Sequence, residues 1–112
     1  MEGTRLVKVS RLLQKDLGDI FQKEGTSLFR GKIITVTSVR VSPDLGVAKV
    51  YISIFPTDKK EEMLHTVRVH TKQFRHELAQ RVRHQLRIVP ELSFFLDDSL
   101  DYIENIDKLL KS

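Results

Sequence analysis

At 112 residues, 40% of them apolar and 30% charged, the chain has material for one domain, residues 1–112, built around a single modest core. The absence of cysteine excludes disulfides and thiolate chemistry, and no run approaches the ~20 apolar residues of a membrane span. Nineteen Lys and Arg against 15 Asp and Glu leave a net charge of +4 and a pI of about 9.5, a balance that suits a polyanionic partner.

The opening Met1-Glu2-Gly3-Thr4-Arg5 lacks the apolar stretch of a secretory signal, so a cytoplasmic protein is expected. Arg5 to Glu24 reads as an amphipathic helix. Leu6, Val9, Leu13, Leu17 and Ile20 recur at three- and four-residue steps, and Leu12 and Phe21 widen the face. Arg5, Lys8, Arg11 and Lys15 repeat on a neighbouring flank. Gly25 suits the residue after the helix, where a left-handed conformation is common. After a loop, residues 26–32, the β-branched run Ile33 to Ser42 predicts a strand. Ile34 and Val36 share one parity and Val39 and Val41 the other, which calls for a bulge near Thr37–Ser38. Ser42-Pro43-Asp44-Leu45-Gly46 is a turn, with Gly46 the residue suited to positive φ. Ala48, Val50, Ile52 and Ile54 then alternate with Lys49, Tyr51, Ser53 and Phe55, giving the second arm of an antiparallel hairpin. Pro56 ends it, and Thr57 or Asp58 can cap the next helix ahead of Glu61 and Glu62.

Leu64 to Pro90 holds six Lys or Arg, all four histidines and one acid, Glu77. Leu64, Val67, Thr71, Phe74, Leu78, Val82 and Leu86 lie on one helical face. Arg68, Lys72, Arg75, Arg83 and Arg87 form a stripe beside it, with Ala79 interrupting the cations and Glu77 on the far side. A continuous helix to Arg87 would be about 36 Å long at 1.5 Å per residue, too long for a domain whose radius of gyration is about 13 Å. A bend or break is therefore expected, although neither Gly nor Pro marks one. Pro90 stops the helical pattern. Leu92, Phe94 and Leu96 alternate as a third strand. Asp97-Asp98-Ser99 forms a turn and cap, and Leu100, Ile103, Ile106 and Leu110 give the stripe of a C-terminal helix. The order α-β-β-α(α)-β-α predicts a two-layer α+β sandwich: a three-stranded sheet with helices on one face and the hairpin's other face wet.

Two blocks of this sequence resemble ribosome-binding factor A. The first is Thr35-Val36-Thr37-Ser38-Val39-Arg40-Val41-Ser42-Pro43-Asp44-Leu45 with Ala48-Lys49-Val50-Tyr51-Ile52-Ser53. The second is Leu86-Arg87-Ile88-Val89-Pro90-Glu91-Leu92-Ser93-Phe94-Phe95 with Asp97-Asp98-Ser99-Leu100, continuing into Asp101-Tyr102-Ile103-Glu104. The resemblance spans nearly the whole chain and is to a short-tailed form. It implies a single type II KH-like domain, α-β-β-α(kink)α-β, with an added C-terminal helix. It also implies a non-catalytic cytoplasmic factor that binds free or immature 30S subunits through 16S rRNA. Such a factor promotes late maturation near the rRNA 5′ end and matters most in the cold. An assembly GTPase is a further partner of that kind, and a monomer is expected. Where ordinary KH domains use Gly-x-x-Gly, this family has an Ala-x-Gly kink between two helices. The comparable positions here are Thr71-Lys72-Gln73, without either small residue, and Ala79 is a second candidate for the kink.

The basic stripe is read as phosphate contact, because Arg and Lys neutralise phosphates and release counterions. Arg68, Lys72, Arg75, Arg81, Arg83 and Arg87 are the expected RNA contacts, with Lys8, Arg11 and Lys15 a weaker set beside Asp16 and Asp19. Thr71, Gln73 or Ala79 would let backbone approach the RNA. His76-Glu77-Leu78-Ala79-Gln80 nearly matches a zinc motif, but Gln80 stands where the second histidine belongs, so no metal or other cofactor is expected. Asp97, Asp98, Asp101 and Glu104 suit a helix N-terminus better than catalysis. Tyr51 and Phe55 could stack on bases, with packing the preferred reading. A protein–protein adaptor whose basic helix meets an acidic partner, with no RNA contact, is the alternative function.

Overall fold

Alternation along the strands makes the sheet one-sided. The computed structural model describes residues 2–25, 27–55 and 59–97, with side chains from Arg5 onward. Its elements are α1 (Glu2–Lys23), β1 (Ile33–Val41), β2 (Val47–Phe55), α2 (Lys60–Val69), α3 (Thr71–Val82) and β3 (Glu91–Leu96). Ile34, Val36, Val39, Ala48, Val50, Ile52, Ile54, Leu92 and Phe94 are buried against the helices, while the residues between them are exposed or half-buried. The hairpin is antiparallel, and β3 adds parallel to β2, giving the order β1-β2-β3. This is the expected type II KH-like arrangement, a three-stranded sheet with helices on one face, and the structure adds that the sheet is mixed. The expected C-terminal helix over Leu100, Ile103, Ile106 and Leu110, the cap residues Asp98 and Ser99, and Pro56 lie outside the described residues. Among the described residues, no helix is long and apolar enough to cross a membrane.

The bulge falls where the change of parity predicts it. Val36 pairs with Ile52 and Ser38 with Tyr51, so Thr37 is the extra residue. A bulge frees backbone groups from the ladder. Here Gln14 of α1 donates from Nε2 to the carbonyls of Val36 and Thr37, at 3.2 and 3.3 Å. The Thr37 hydroxyl donates to the Asp97 carboxylate at the end of β3. One irregular residue thus ties α1, β1 and β3 together.

Two local expectations are corrected. Gly25 and Gly46 do not take positive φ; Arg30 (φ 50°), Gly31 (φ 83°) and Leu45 (φ 60°) do. The loop after α1 curls back so that Gly31 N–H donates to the Gly25 carbonyl at 2.7 Å. That curl inserts Phe29 into the core, fully buried and edge-on to Phe21 at 5.7 Å. At the start of α2 the cap position is Lys59, with no side-chain cap bond; the expected cap residues Thr57 and Asp58 lie outside the described residues. The long helical pattern ends at Val82, not Arg87. The Gln85 and Leu86 amides close the last turn onto the Val82 carbonyl, both at 2.8 Å.

The helix does break, at His70 (φ −98°, ψ 15°), one residue before Thr71-Lys72-Gln73; Ala79 is inside α3. Side chains do here what a small residue does elsewhere. A break strands carbonyls that must find donors. His70 Nδ1 lies 2.8 Å from the Thr66 carbonyl, which can only accept, so Nδ1 carries the proton. Thr71 Oγ1 donates to the Arg68 carbonyl at 2.7 Å. The break lets Leu64 and Val67 bury against the sheet while Phe74, Leu78 and Val82 bury beside α1.

Two outcomes are expected. Replacing Thr71 by Val keeps the shape but leaves the Arg68 carbonyl with its backbone donor alone, and should lower stability in urea by about 0.5–1 kcal/mol. In the hairpin turn, Asp44 accepts from the Ser42 hydroxyl at 2.7 Å and the Gly46 amide at 3.0 Å, and these bonds hold its carboxyl below the ordinary value of 3.8. Asp44 therefore binds protons more weakly folded than unfolded. Its contribution should be complete above pH 3.8 and fade as pH falls through the lower folded value. Gly46 amide exchange, followed through acid, should accelerate in that window, and Asp44→Asn should remove the dependence.

Candidate nucleic-acid interface

The basic stripe does not act as one surface, because its residues leave the helices at different angles and meet different partners. Arg68, on the last turn of α2, reaches the edge of β3. Its Nε and Nη2 both donate to the Phe94 carbonyl, at 3.1 and 2.7 Å. Arg75, two turns further along, donates from Nη2 to the Val89 carbonyl at 2.7 Å and from Nε to the Pro90 carbonyl at 3.2 Å. Arg81 turns toward α1 and lies 3.6 Å from Asp16 and 3.4 Å from Asp19. Beside it Glu77 pairs with Lys23 at 3.3 Å. These pairs join exposed cations to carboxylates of which Asp16 and Glu77 are half-buried and Asp19 is exposed, and they help set the azimuth of α3 on α1.

What remains is concentrated in one groove. Lys72, Gln73, Arg75, His76, Ala79, Arg83, Leu86, Arg87 and Val89 line a depression of about 700 Å³ between α3 and the segment leading to β3. Four cations and a histidine surround it, and none of its lining residues is acidic. Ala79, Leu86 and Val89 supply an apolar floor. The floor keeps its shape because Arg75 pins the Val89–Pro90 backbone to α3. Among the described residues, Lys72 and Arg87 have no ion pair or side-chain hydrogen bond, while Arg83 Nε lies 3.4 Å from His84 Nε2. A charged rim over an apolar floor can hold a phosphate backbone at its edge and a ribose or base within.

Of the residues singled out from sequence, the fold thus gathers Lys72, Gln73, Arg75, Ala79, Arg83 and Arg87. Ala79 does not make the kink; its small side chain opens the groove. Thr71 sits at the break, bonded to Arg68. Arg68 and Arg81 lie outside the groove. Lys8, Arg11 and Lys15 are exposed on α1, and none of them lines it. Sequence reasoning missed Val89 and assigned Leu86 to the buried seam; Leu86, past the end of α3, is partly buried against the core and also lines the groove. His76 is the histidine that meets the groove, and His70 instead holds the break. Phe55 is 69% exposed, against the packing expected of it, and Tyr51 is half-buried. Asp97 bonds Thr37 and, through its amide, the Ile52 carbonyl at 2.8 Å, an architectural placement.

The division between structural and free cations has a direct test. Arg75→Ala removes two charge-assisted donors from carbonyls and should cost about 1.5–3 kcal/mol in urea unfolding. Lys72→Ala, on the same helix, should stay within about 0.5 kcal/mol. Equal effects of the two would refute the division.

The comparisons with known proteins agree with this architecture. A family model described as ribosome-binding factor A matches residues 5–110. The ribosome-binding factor A of Cytophaga hutchinsonii is 47% identical over 110 residues, covering 98% of this chain and 83% of that protein. The crystal structure of the Thermus thermophilus factor superposes with a TM-score of 0.67 at 28% identity, over 81% of this chain and 94% of that one. A homology-derived structure of the Thermus thermophilus factor, fitted into a cryo-EM map of a 30S complex, gives a TM-score of 0.61 at 30% identity, over 78% and 89%. With its mixed sheet, broken helix pair and near-complete match, this chain belongs to the ribosome-binding factor A family.

Proposed function

We propose that this protein binds free or immature 30S subunits through 16S rRNA, and that the groove between α3 and the 83–90 segment is its main RNA contact. The observation behind this is the groove itself, with Lys72, Arg75, Arg83 and Arg87 around an apolar floor and no acid among the lining residues. The Thermus thermophilus factor seen with a 30S subunit supports the choice of particle. Phosphates would sit on Lys72, Arg83 and Arg87, and Arg75 would keep the floor in place. Little base readout is built into such a site, so rRNA shape and backbone would decide where it binds.

The finer role follows from the family resemblance. It is to promote late maturation of 16S rRNA near its 5′ end, in the cytoplasm, as a monomer, with greatest demand at low temperature and release aided by an assembly GTPase. No reaction is assigned to the protein itself. Cells lacking it should accumulate 5′-extended 16S precursor, more so in the cold.

Co-sedimentation with purified small subunits tests the groove. Lys72→Glu combined with Arg83→Glu should weaken binding at moderate salt at least about 100-fold, because two phosphate contacts become repulsive. Arg75 is left untouched, since changing it also releases the backbone. Unchanged binding would show that the groove is not the interface. A complex that survives ribonuclease would point instead to a protein adaptor.

A further inference from the structure

The sheet has a second face, turned away from the helices and separate from the groove. Tyr51 and Phe95 are direct cross-strand partners on it. Their ring centroids are 5.7 Å apart with planes at 31°, so the two rings form one tilted surface. Phe95 is 37% exposed, although a phenylalanine on a half-wet sheet gains nothing from water. Cations surround the pair. The Arg40 guanidinium lies 5.9 Å from the Tyr51 centroid. Arg68 comes around the β3 edge, fixed by its two bonds to the Phe94 carbonyl, and its guanidinium lies 5.8 Å from the Phe95 centroid. Lys49 stands across the strands from both Arg40 and Ser93 and is exposed. Two described acids stand by this strand: Glu91 pairs with Val47 about 13 Å along from Phe95 at 3.3 Å per residue, and Asp97, two residues beyond Phe95, accepts from the Thr37 hydroxyl.

Each part has an ordinary explanation alone, since aromatic cross-strand pairs stabilise sheets and arginines lie on rings. Together they make a surface with three cations and two adjacent aromatic rings, and the described acid at its margin, Asp97, is engaged by the Thr37 hydroxyl. The groove explains none of it. Aromatic faces flanked by cations match the two chemical features every single-stranded nucleic acid offers, a base's π-face and a phosphate. A duplex offers only the second, because its bases are already stacked.

We propose that the outer face of the sheet is a stacking platform for single-stranded RNA, with a base on the Tyr51–Phe95 pair and the flanking phosphates on Arg40 and Lys49, and with Arg68 closing the β3 side. It is a second RNA site, independent of the groove and non-selective for base.

The test is fluorescence anisotropy of the full chain with labelled dodecauridine and with an RNA duplex of equal length. Phe95→Leu keeps an apolar side chain on the strand but removes the ring, and should weaken dodecauridine binding about tenfold while changing duplex binding by less than about twofold. Arg40→Gln with Lys49→Gln leaves the rings in place and should lower the slope of log affinity against log salt by about 1.4, or 0.7 per phosphate contact. Thermal unfolding shows that the variants fold; should Phe95→Leu fail, the Arg40/Lys49 pair decides alone. The proposal is overturned if wild-type protein does not bind dodecauridine, if the face variants bind it as wild type does, or if duplex binding falls equally. It also falls if these variants lose small-subunit binding while keeping dodecauridine, because the face would then meet a protein. The Lys72/Arg83 variant separates the two sites: loss there alone sustains the groove and sinks the platform, and loss in the face variants alone does the reverse.

Discussion

Four phenylalanines from four parts of the chain hold the layers in register. Phe21 of α1, Phe29 of the following loop, Phe74 at the start of α3 and Phe94 of β3 are essentially inaccessible to water, with neighbouring centroids 5.0–6.3 Å apart. Phe21 packs edge-on to both Phe29 and Phe74. Truncating one such ring costs about 3–5 kcal/mol, against about 5–15 kcal/mol for a whole domain. The position of Phe74 decides the rotation of α3 about its axis. With that ring inward, Leu78 and Val82 follow it, Glu77 and Arg81 meet α1, and Lys72, His76 and Arg83 are left facing the groove. The interface is therefore set by what the core requires of one aromatic residue four positions after the helix break.

That rotation also explains how much was legible beforehand. Parity along β1 located the bulge, because a one-residue slip exchanges the faces of every later side chain. The length of the apolar seam showed that the helix must break. Where it breaks was hidden, since no glycine marks it and the side chains of His70 and Thr71 add hydrogen bonds to the backbone ones that close the turn. Positive φ was sought at Gly25 and Gly46 but falls at Arg30, Gly31 and Leu45, where loop closure overrides residue preference. A helical wheel placed Arg68, Lys72, Arg75, Arg83 and Arg87 in one stripe. It could not show that Arg68 reaches a strand edge and Arg75 a loop backbone, or that Arg81 turns to another helix, because those partners are distant in sequence. Half of the candidate site was thus visible as a stripe, and its division into structural and free cations required the fold.

One-sidedness has a parallel effect on the sheet. Every described helix lies on one face, and among the described residues the outward positions of the other are exposed or half-buried. Most of them are threonine, serine, lysine or arginine. The aromatic exceptions cluster at Tyr51–Phe95, and Ile33 lies across from Phe55 at the hairpin's open end. A family defined by ribosome binding gives such exceptions a context that sequence periodicity alone does not.

Because β3 runs parallel to β2, it cannot pair until the α2–α3 crossover has been made. A chain synthesised from its N-terminus can complete α1 and the hairpin early. Val47 must wait for Glu91, and Phe21 and Phe29 for Phe74 and Phe94. Until then β2 presents an open edge with apolar residues beneath it, the kind of exposure that invites association with other chains. The strand that closes this edge arrives last, and its own outer edge is met by Arg68 at the Phe94 carbonyl. In order of synthesis, the hazard and the segment that removes it are separated by the whole of the α2–α3 crossover.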